Sequence, residues 1–180
     1  MAKGVTDDMG FEALGFPKRS TILRVAVSMP ARSLVVQVQV QTDPDPSRRL
    51  FARRFDEERY HALVPHEEGH DIQDPTPSPT TPHVYFNRFL FRYCDGSWGG
   101  NWDGLYRVDC ESRAVECLLS RSADFISKIL GISGDGANLY VVGGAAAPGA
   151  DGSRLHYGVA ELDLATLEMR PLTALRATFV

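Results

Sequence analysis

The stretch that decides the fold is Phe125–Val142, FISKILGISGDGANLYVV. Ile126, Ile129 and Ile132 stand among short apolar residues and predict a strand. Ser133-Gly134-Asp135-Gly136 follows, four residues that each favour a turn. Glycine accepts positive φ, and aspartate bonds its own backbone. Leu139, Tyr140, Val141 and Val142 then predict a second strand, closed by Gly143-Gly144. The stretch therefore reads as a hairpin turning over Gly134–Asn138. Beyond a Gly/Ala/Pro loop at Ala145–Ser153, Leu155–Leu164 (LHYGVAELDL) and Leu167–Leu172 (LEMRPL) predict a third and a fourth strand.

Working outward, Leu105–Asp109 and Val115–Leu119 (LYRVD and VECLL) predict another hairpin. It echoes VAELDL and LEMRPL after about fifty residues, the spacing of a blade-sized repeat. Ser133-Gly134-Asp135-Gly136-Ala137-Asn138-Leu139-Tyr140-Val141 resembles the S-x-D-G-x-x-L-Y-V phrase that joins the first two strands of a blade in many β-propeller repeat proteins. The resemblance implies an all-β chain of antiparallel sheets arranged as propeller-like blades, with no particular ligand. A β-sandwich is the alternative. We expect a lead-in over residues 1–20 and one all-β domain over 21–180. Its blade-like units would be 21–64, 83–119 and 124–172, with 65–82 as a linker. Propellers close with about 4–8 blades, so about three form an incomplete ring. Unpaired edges invite association, which makes a homo-oligomer, or a place in a longer protein, an expectation.

Upstream, Leu34, Val36, Val38 and Val40 alternate with Val35, Gln37, Gln39 and Gln41, the period-two pattern of a strand. Leu23, Val25 and Val27 predict its neighbour, across a turn at Met29–Arg32. Arg48–Leu63 reads either as a helix capped by Ser47 or as two short strands around Asp56-Glu57-Glu58; the repeat favours strands. In Pro65–Pro82, prolines at 75, 77, 79 and 82 predict an exposed loop.

The formal net charge of −4 gives no basic field for nucleic acid. No apolar run reaches the length of about 18 residues that a membrane span needs. Three cysteines, Cys94, Cys110 and Cys117, are an odd count that suits a reducing, cytoplasmic setting. No leader is apparent in MAKGVTDDMGFEALGF. We expect no cofactor, no nucleic-acid or membrane partner, and a protein or carbohydrate ligand.

Two segments carry candidate chemistry. His66-Glu67-Glu68-Gly69-His70 matches H-E-x-x-H, in which two imidazoles one helical turn apart share zinc and the glutamate activates water. Pro65 before it, Gly69 inside it and the proline tract after it oppose that helix. His66, His70 and Asp71 remain candidate ligands for a metal, and a zinc-dependent hydrolase is one alternative function. Tyr93, Asp95, Trp98, Asn101, Trp102 and Asp103 lie in a segment read as a glycine-rich loop, Cys94–Gly104. Exposed rings beside carboxylates and amides suit a sugar or peptide, so a carbohydrate-binding module is the second alternative. The tryptophans could equally cap the core. Asp95, Ser97, Asn101 and Asp103 loosely match a calcium loop, but Tyr106 stands where its last acid belongs. The favoured expectation is a binding or scaffolding module with no chemistry of its own.

Overall fold

The computed structural model of the chain describes residues 8–41, 47–94, 97–120, 125–146 and 155–173. A short helix, α1 (Asp8–Ala13), precedes twelve strands in the described residues. The strands form three antiparallel four-stranded sheets, each built from consecutive strands. Blade 1 comprises β1 (Ser20–Ser28), β2 (Ser33–Val40), β3 (Ser47–Arg54) and β4 (His61–Ala62). Blade 2 comprises β5 (His70–Pro77), β6 (His83–Cys94), β7 (Ser97–Asp109) and β8 (Val115–Ser120). Blade 3 comprises β9 (Phe125–Ile132), β10 (Asn138–Ala146), β11 (Leu155–Asp163) and β12 (Met169–Pro171). The fold is all-β and propeller-like. The described blades follow one another in an arc and do not close a ring.

The hairpin at Phe125–Val142 forms as its residues dictate. Ser133 N–H donates to Asn138 O at 2.9 Å, and Gly136 N–H to Ser133 O at 2.9 Å. Gly136 takes φ +75°, and a Cβ there would lie 2.4 Å from Thr80 Oγ1. The same device recurs unseen in the other blades. Ser28, Ser78 and Ser133 each open the first hairpin of a blade, and Ser33, His83 and Asn138 stand five residues on. The Ser28 hydroxyl accepts from Ala31 N–H, that of Ser78 from Thr80 and Thr81 N–H, and that of Ser133 from Asn138 N–H. The last turns of blades 2 and 3 also match. Asp109 Oδ1 accepts from Glu111 and Ser112 N–H, and Asp163 Oδ1 from Ala165 and Thr166 N–H. Arg113 and Leu167 both take φ +61°.

Two readings need correction. Residues 65–82 are not simply a linker, because His70–Pro77 is β5, the first strand of blade 2. It pairs only with β6, so it is an edge of its sheet. Pro75 falls where the register slips between Gln73 and Thr76. Proline is tolerated at both kinds of place because no ladder donor is lost there. Nor is Cys94–Gly104 a loop. From Ser97 onward it is β7, paired with β6 from Cys94↔Ser97 to His83↔Asp109. Its glycines admit neighbours rather than loosen the chain: a Cβ on Gly100 would lie 2.6 Å from the Phe91 ring.

The core sits in the seams between blades. Val35, Leu50 and Ala52 of blade 1 pack with Ile72, Val84, Phe86, Tyr106 and Val108 of blade 2. Tyr85, Trp102 and Leu105 of blade 2 pack with Ile126, Ile129, Leu139, Val141 and Leu162 of blade 3. On the far face of blade 1, Phe16 covers Val36, Val38, Val40 and Phe51 and stacks on Tyr60 with 4.6 Å between ring centroids.

Candidate functional site

The seam between blades 1 and 2 is the polar one. β5 crosses blade 1 there, and its groups are fixed by blade 1 side chains. Gln37 Nε2–H donates to Ile72 O at 2.7 Å. Arg48 N–H donates to Asp71 Oδ1 at 2.6 Å, and Arg48 Nε lies 2.9 Å from Asp71 Oδ2. Gln73 Nε2–H donates to the same Oδ2 at 3.0 Å. Burial raises the Asp71 carboxyl above its ordinary value, against the pull of Arg48 and Gln73. Asp71 is therefore a structural anchor whose two oxygens are already engaged.

Above Asp71 lies a pocket lined by Arg48, Arg49, His66, Glu67, His70 and Arg88, floored by Val64, Pro65 and Ile72. Strand β3 brings Arg48 and Arg49, the turn before β5 brings His66 and Glu67, and β6 brings Arg88 opposite Ile72. Arg88 is clamped. Its Nε–H donates to Asp103 Oδ2 at 2.5 Å and Nη2–H to Tyr106 Oη at 2.6 Å; Nη1 lies 3.4 Å from Glu67 Oε2. Its guanidinium also stands 4.2 Å from the Tyr106 ring centroid. Tyr106 Oη–H donates to Asp103 Oδ2 at 2.9 Å. Burial pushes the Asp103 carboxyl up, but hydrogen bonds from Arg88 and Tyr106 outweigh it and leave the group below its ordinary value. Burial, helped by Asp103, pushes the Tyr106 hydroxyl well above its ordinary value, so it stays a donor.

Arg49 differs from its neighbours. Its Nε–H donates to Ser47 Oγ at 3.0 Å, and among the described residues no carboxylate comes within ion-pair distance of it. Burial lowers its pKa, as it does that of His66, which Arg49 lowers further. A guanidinium nonetheless remains charged at neutral pH. His70 Nδ1 lies 3.3 Å from Glu67 Oε2 but outside hydrogen-bond geometry, and it has no other partner. The pocket, of about 20 Å³, is lined by three guanidiniums and two imidazoles; Asp71, Asp103 and Glu67 answer Arg48 and Arg88, which leaves Arg49 as the guanidinium with no carboxylate beside it. Such a rim can meet an anionic group at its mouth.

The expected sites fare unevenly. His66 and His70 share the pocket, but the HEEGH segment is a turn running into β5. Gly69 takes φ +74° within it, so the two imidazoles do not stand one helical turn apart, as the zinc-hydrolase arrangement requires. Asp71 is turned to Arg48. Among the described residues, no three His, Cys, Asp or Glu side chains are grouped as a metal site would need. In the other segment, Trp102 is 7% exposed and its Nε1–H donates to Asn87 Oδ1 at 3.3 Å. It belongs to the core between blades 2 and 3 and shows no open ring face to a sugar. Asn101 is exposed, whereas Asp103 belongs to the Arg88 clamp. Asp95 lies outside the described residues, and of Tyr93, Ser97 and Trp98 only the backbone is described. The extended backbone of β7 does not curl Ser97, Asn101 and Asp103 around a cation.

Arg48, Arg49, Arg88 and Tyr106 went unnoticed as site residues because they come from three strands of two blades. The Arg48/Arg49/Arg53/Arg54 run reads as a solvated charged face balanced by Asp56, Glu57 and Glu58. At the other end of the seam a cleft of about 260 Å³ is lined by Arg54, Glu57, His61, Cys110, Glu111 and Arg113. Its charges balance, and burial beside Asp109 and Glu111 pushes the Cys110 thiol up to about 12, which leaves it a poor nucleophile.

No family model matches the chain. No curated protein matches its sequence. Among solved structures it is similar to an oligogalacturonate lyase in complex with manganese, at TM-score 0.59 and 13% identity over 86% of this chain. It also matches a β-1,2-mannobiose phosphorylase from Listeria innocua over 92% of this chain and 47% of that one, at 14% identity and a TM-score of 0.40, too low to bear on the fold. The chain spans 36% of the lyase's length, and at this identity the likeness shows the propeller-like fold alone.

Proposed function

We propose that the chain is a propeller-type binding module that takes an anionic group, a carboxylate or a phosphate, in the pocket between blades 1 and 2. The observation that supports the reading is the lining itself: Arg48, Arg49, Arg88, His66 and His70 converge, with Glu67 as the only acid among the lining residues. Arg48 and Arg88 are held in place by Asp71 and Asp103, so their orientation is set before a ligand arrives. Arg49 is the guanidinium of the described pocket with no carboxylate at ion-pair distance, and His70 Nδ1 neither accepts nor donates a hydrogen bond there. The residues serve positioning and charge. Tyr106 is kept protonated and Asp103 ionised, which suits binding better than proton transfer.

Isothermal titration with inorganic phosphate, citrate and oligogalacturonate tests the reading, with a neutral oligosaccharide as control. Oligogalacturonate is included for its row of carboxylates, not because the lyase likeness assigns it. At least one anion should bind, more weakly as salt rises, and Arg49→Gln should cost it tenfold or more in affinity. Failure of all three anions to bind, or binding that Arg49→Gln leaves unchanged, would overturn the proposal.

A further inference from the structure

The blades dock by one rule. The first strand of blade 2, β5, lies across β1, β2 and β3 of blade 1, and the first strand of blade 3, β9, lies across β5, β6 and β7 of blade 2. Each blade thus lends its first strand to the face of the blade before it.

The first strand of blade 1 has the build of such a strand. In β1 a bulge at Leu23 separates Ile22, opposite Val38, from Arg24, opposite Gln37. In β9 the same irregularity at Ser127 separates Ile126, opposite Gly143, from Lys128, opposite Val142. Ile22 and Val25 therefore hold the places that Ile126 and Ile129 hold in blade 3. Ile126 and Ile129 are 0% and 2% exposed, being pressed on blade 2. Ile22 and Val25 are 42% and 55% exposed, and Val27 continues the row at 50%. Among the described residues the lead-in covers the neighbouring part of this face, Phe16 packing on Val36, Val38, Val40 and Phe51, and leaves Ile22, Val25 and Val27 themselves exposed.

Among the described residues, blade 3 carries the matching uncrossed face. On blade 1 the face crossed by β5 presents the pairs Val35↔Ala52 and Gln37↔Leu50, all buried. The equivalent face of blade 3 presents Tyr140↔Glu161 and Val142↔Val159, none of them fully buried and Glu161 paired with Arg170, beside an open concavity bounded by Asn138, Glu161 and Arg170. The chain therefore carries both halves of its own blade-to-blade contact, one at each end of the arc.

We propose that β1 of one copy docks across β9, β10 and β11 of a second copy, while the second copy's first strand docks back on the first. The contact continues the interface already used twice within the chain. Two such contacts related by a two-fold axis close two three-bladed arcs into six blades, within the range of about 4–8 in which propellers close.

Light scattering on the eluting peak of the 180-residue chain tests this. The parent should run at twice the 19.8 kDa of one chain. Val25→Glu and, separately, Val142→Glu should each run at the single-chain mass with unchanged far-UV circular dichroism. Mixing the two variants should restore the double mass, because one supplies an intact β1 and the other an intact blade 3 face. Should either fail to fold, Val27→Lys and Tyr140→Lys replace them. A parent that stays at the single-chain mass at high concentration overturns the proposal, as does a folded variant that still pairs with itself. A mixture that does not re-pair overturns it equally.

Discussion

Blade 2 is gripped on both sides, and its two seams are unlike. Toward blade 3 the contact is mainly apolar: Trp102, Leu105, Ile126, Ile129, Leu139, Val141 and Leu162, with Asn87 meeting the Trp102 indole and Asp74 Oδ2 accepting from Ile129 N–H at 3.2 Å. Toward blade 1 an apolar layer of Val35, Leu50, Val84 and Phe86 lies beneath Gln37, Arg48 and Asp71, and beyond those the arginine-lined pocket opens. Both seams use the crossing first strand, but they fix it differently. β9 is held by two buried isoleucines and one bond from Ile129 N–H to Asp74, whereas β5 is held by one isoleucine and several bonds from Gln37 and Arg48. The difference teaches where a ligand can go. A seam closed mainly by hydrocarbon offers a ligand little at its surface, while a seam fastened by paired charges leaves a spare donor, Arg49, at its rim.

The contrast can be tested, beginning with the change of largest expected effect. Ile129→Ala in the apolar seam should cost about 3–4 kcal/mol of unfolding free energy, through lost burial and a residual cavity. Urea titration followed by tryptophan fluorescence reads it directly, since Trp102 is in the same layer. Asp71→Ala in the polar seam should cost less, about 2 kcal/mol, because Arg48 is partly exposed and water can reach it once its partner is gone. A greater loss for Asp71→Ala than for Ile129→Ala would reverse the comparison. Ser78→Ala, which frees Thr80 and Thr81 N–H in the turn touching Asp135, should cost about 1 kcal/mol.

Acid should act on the polar seam with two opposite signs. Asp103 has its pKa lowered in the fold, so its contribution is fully present above the ordinary carboxylate value of 3.8 and is lost as pH falls through the lowered value. Asp71, with its pKa raised, acts with the opposite sign: its contribution is present below 3.8 and is lost as pH rises through the raised value. Denaturation midpoints measured from pH 5 downward should therefore fall less steeply in Asp103→Asn than in the parent chain, about pH 4 being the point of departure. Equal slopes would show that the Arg88 clamp does not hold Asp103 ionised.

Much of this architecture can be read from the sequence where turn chemistry is explicit. Ser133-Gly134-Asp135-Gly136 fixed the register of blade 3, and the two Asp-headed turns, at Asp109 and Asp163, revealed the repeat. The strand β5 was hidden because prolines at 75 and 77 spell a loop unless the strand is known to be an edge. The start of β7 was hidden because Gly99, Gly100 and Gly104 look like slack, although Phe91 and Leu119 O occupy the space that side chains at 100 and 104 would need. The pocket was illegible for another reason. Its members lie up to forty residues apart, and only the crossing of β5 over β3 brings them together. HEEGH, the one local motif in it, advertised a helix that its proline and glycine forbid.

The crossing rule also bears on how the chain matures. The face of blade 1 that receives β5 is completed only when residues 70–77 become available, and the face of blade 2 only with residues 125–132. Emerging from a ribosome, each module would carry a raw hydrocarbon surface until the opening segment of its successor arrived. Native architecture would advance in interlocked instalments, each sealing its predecessor, and a chain halted between 64 and 70 would be left adhesive.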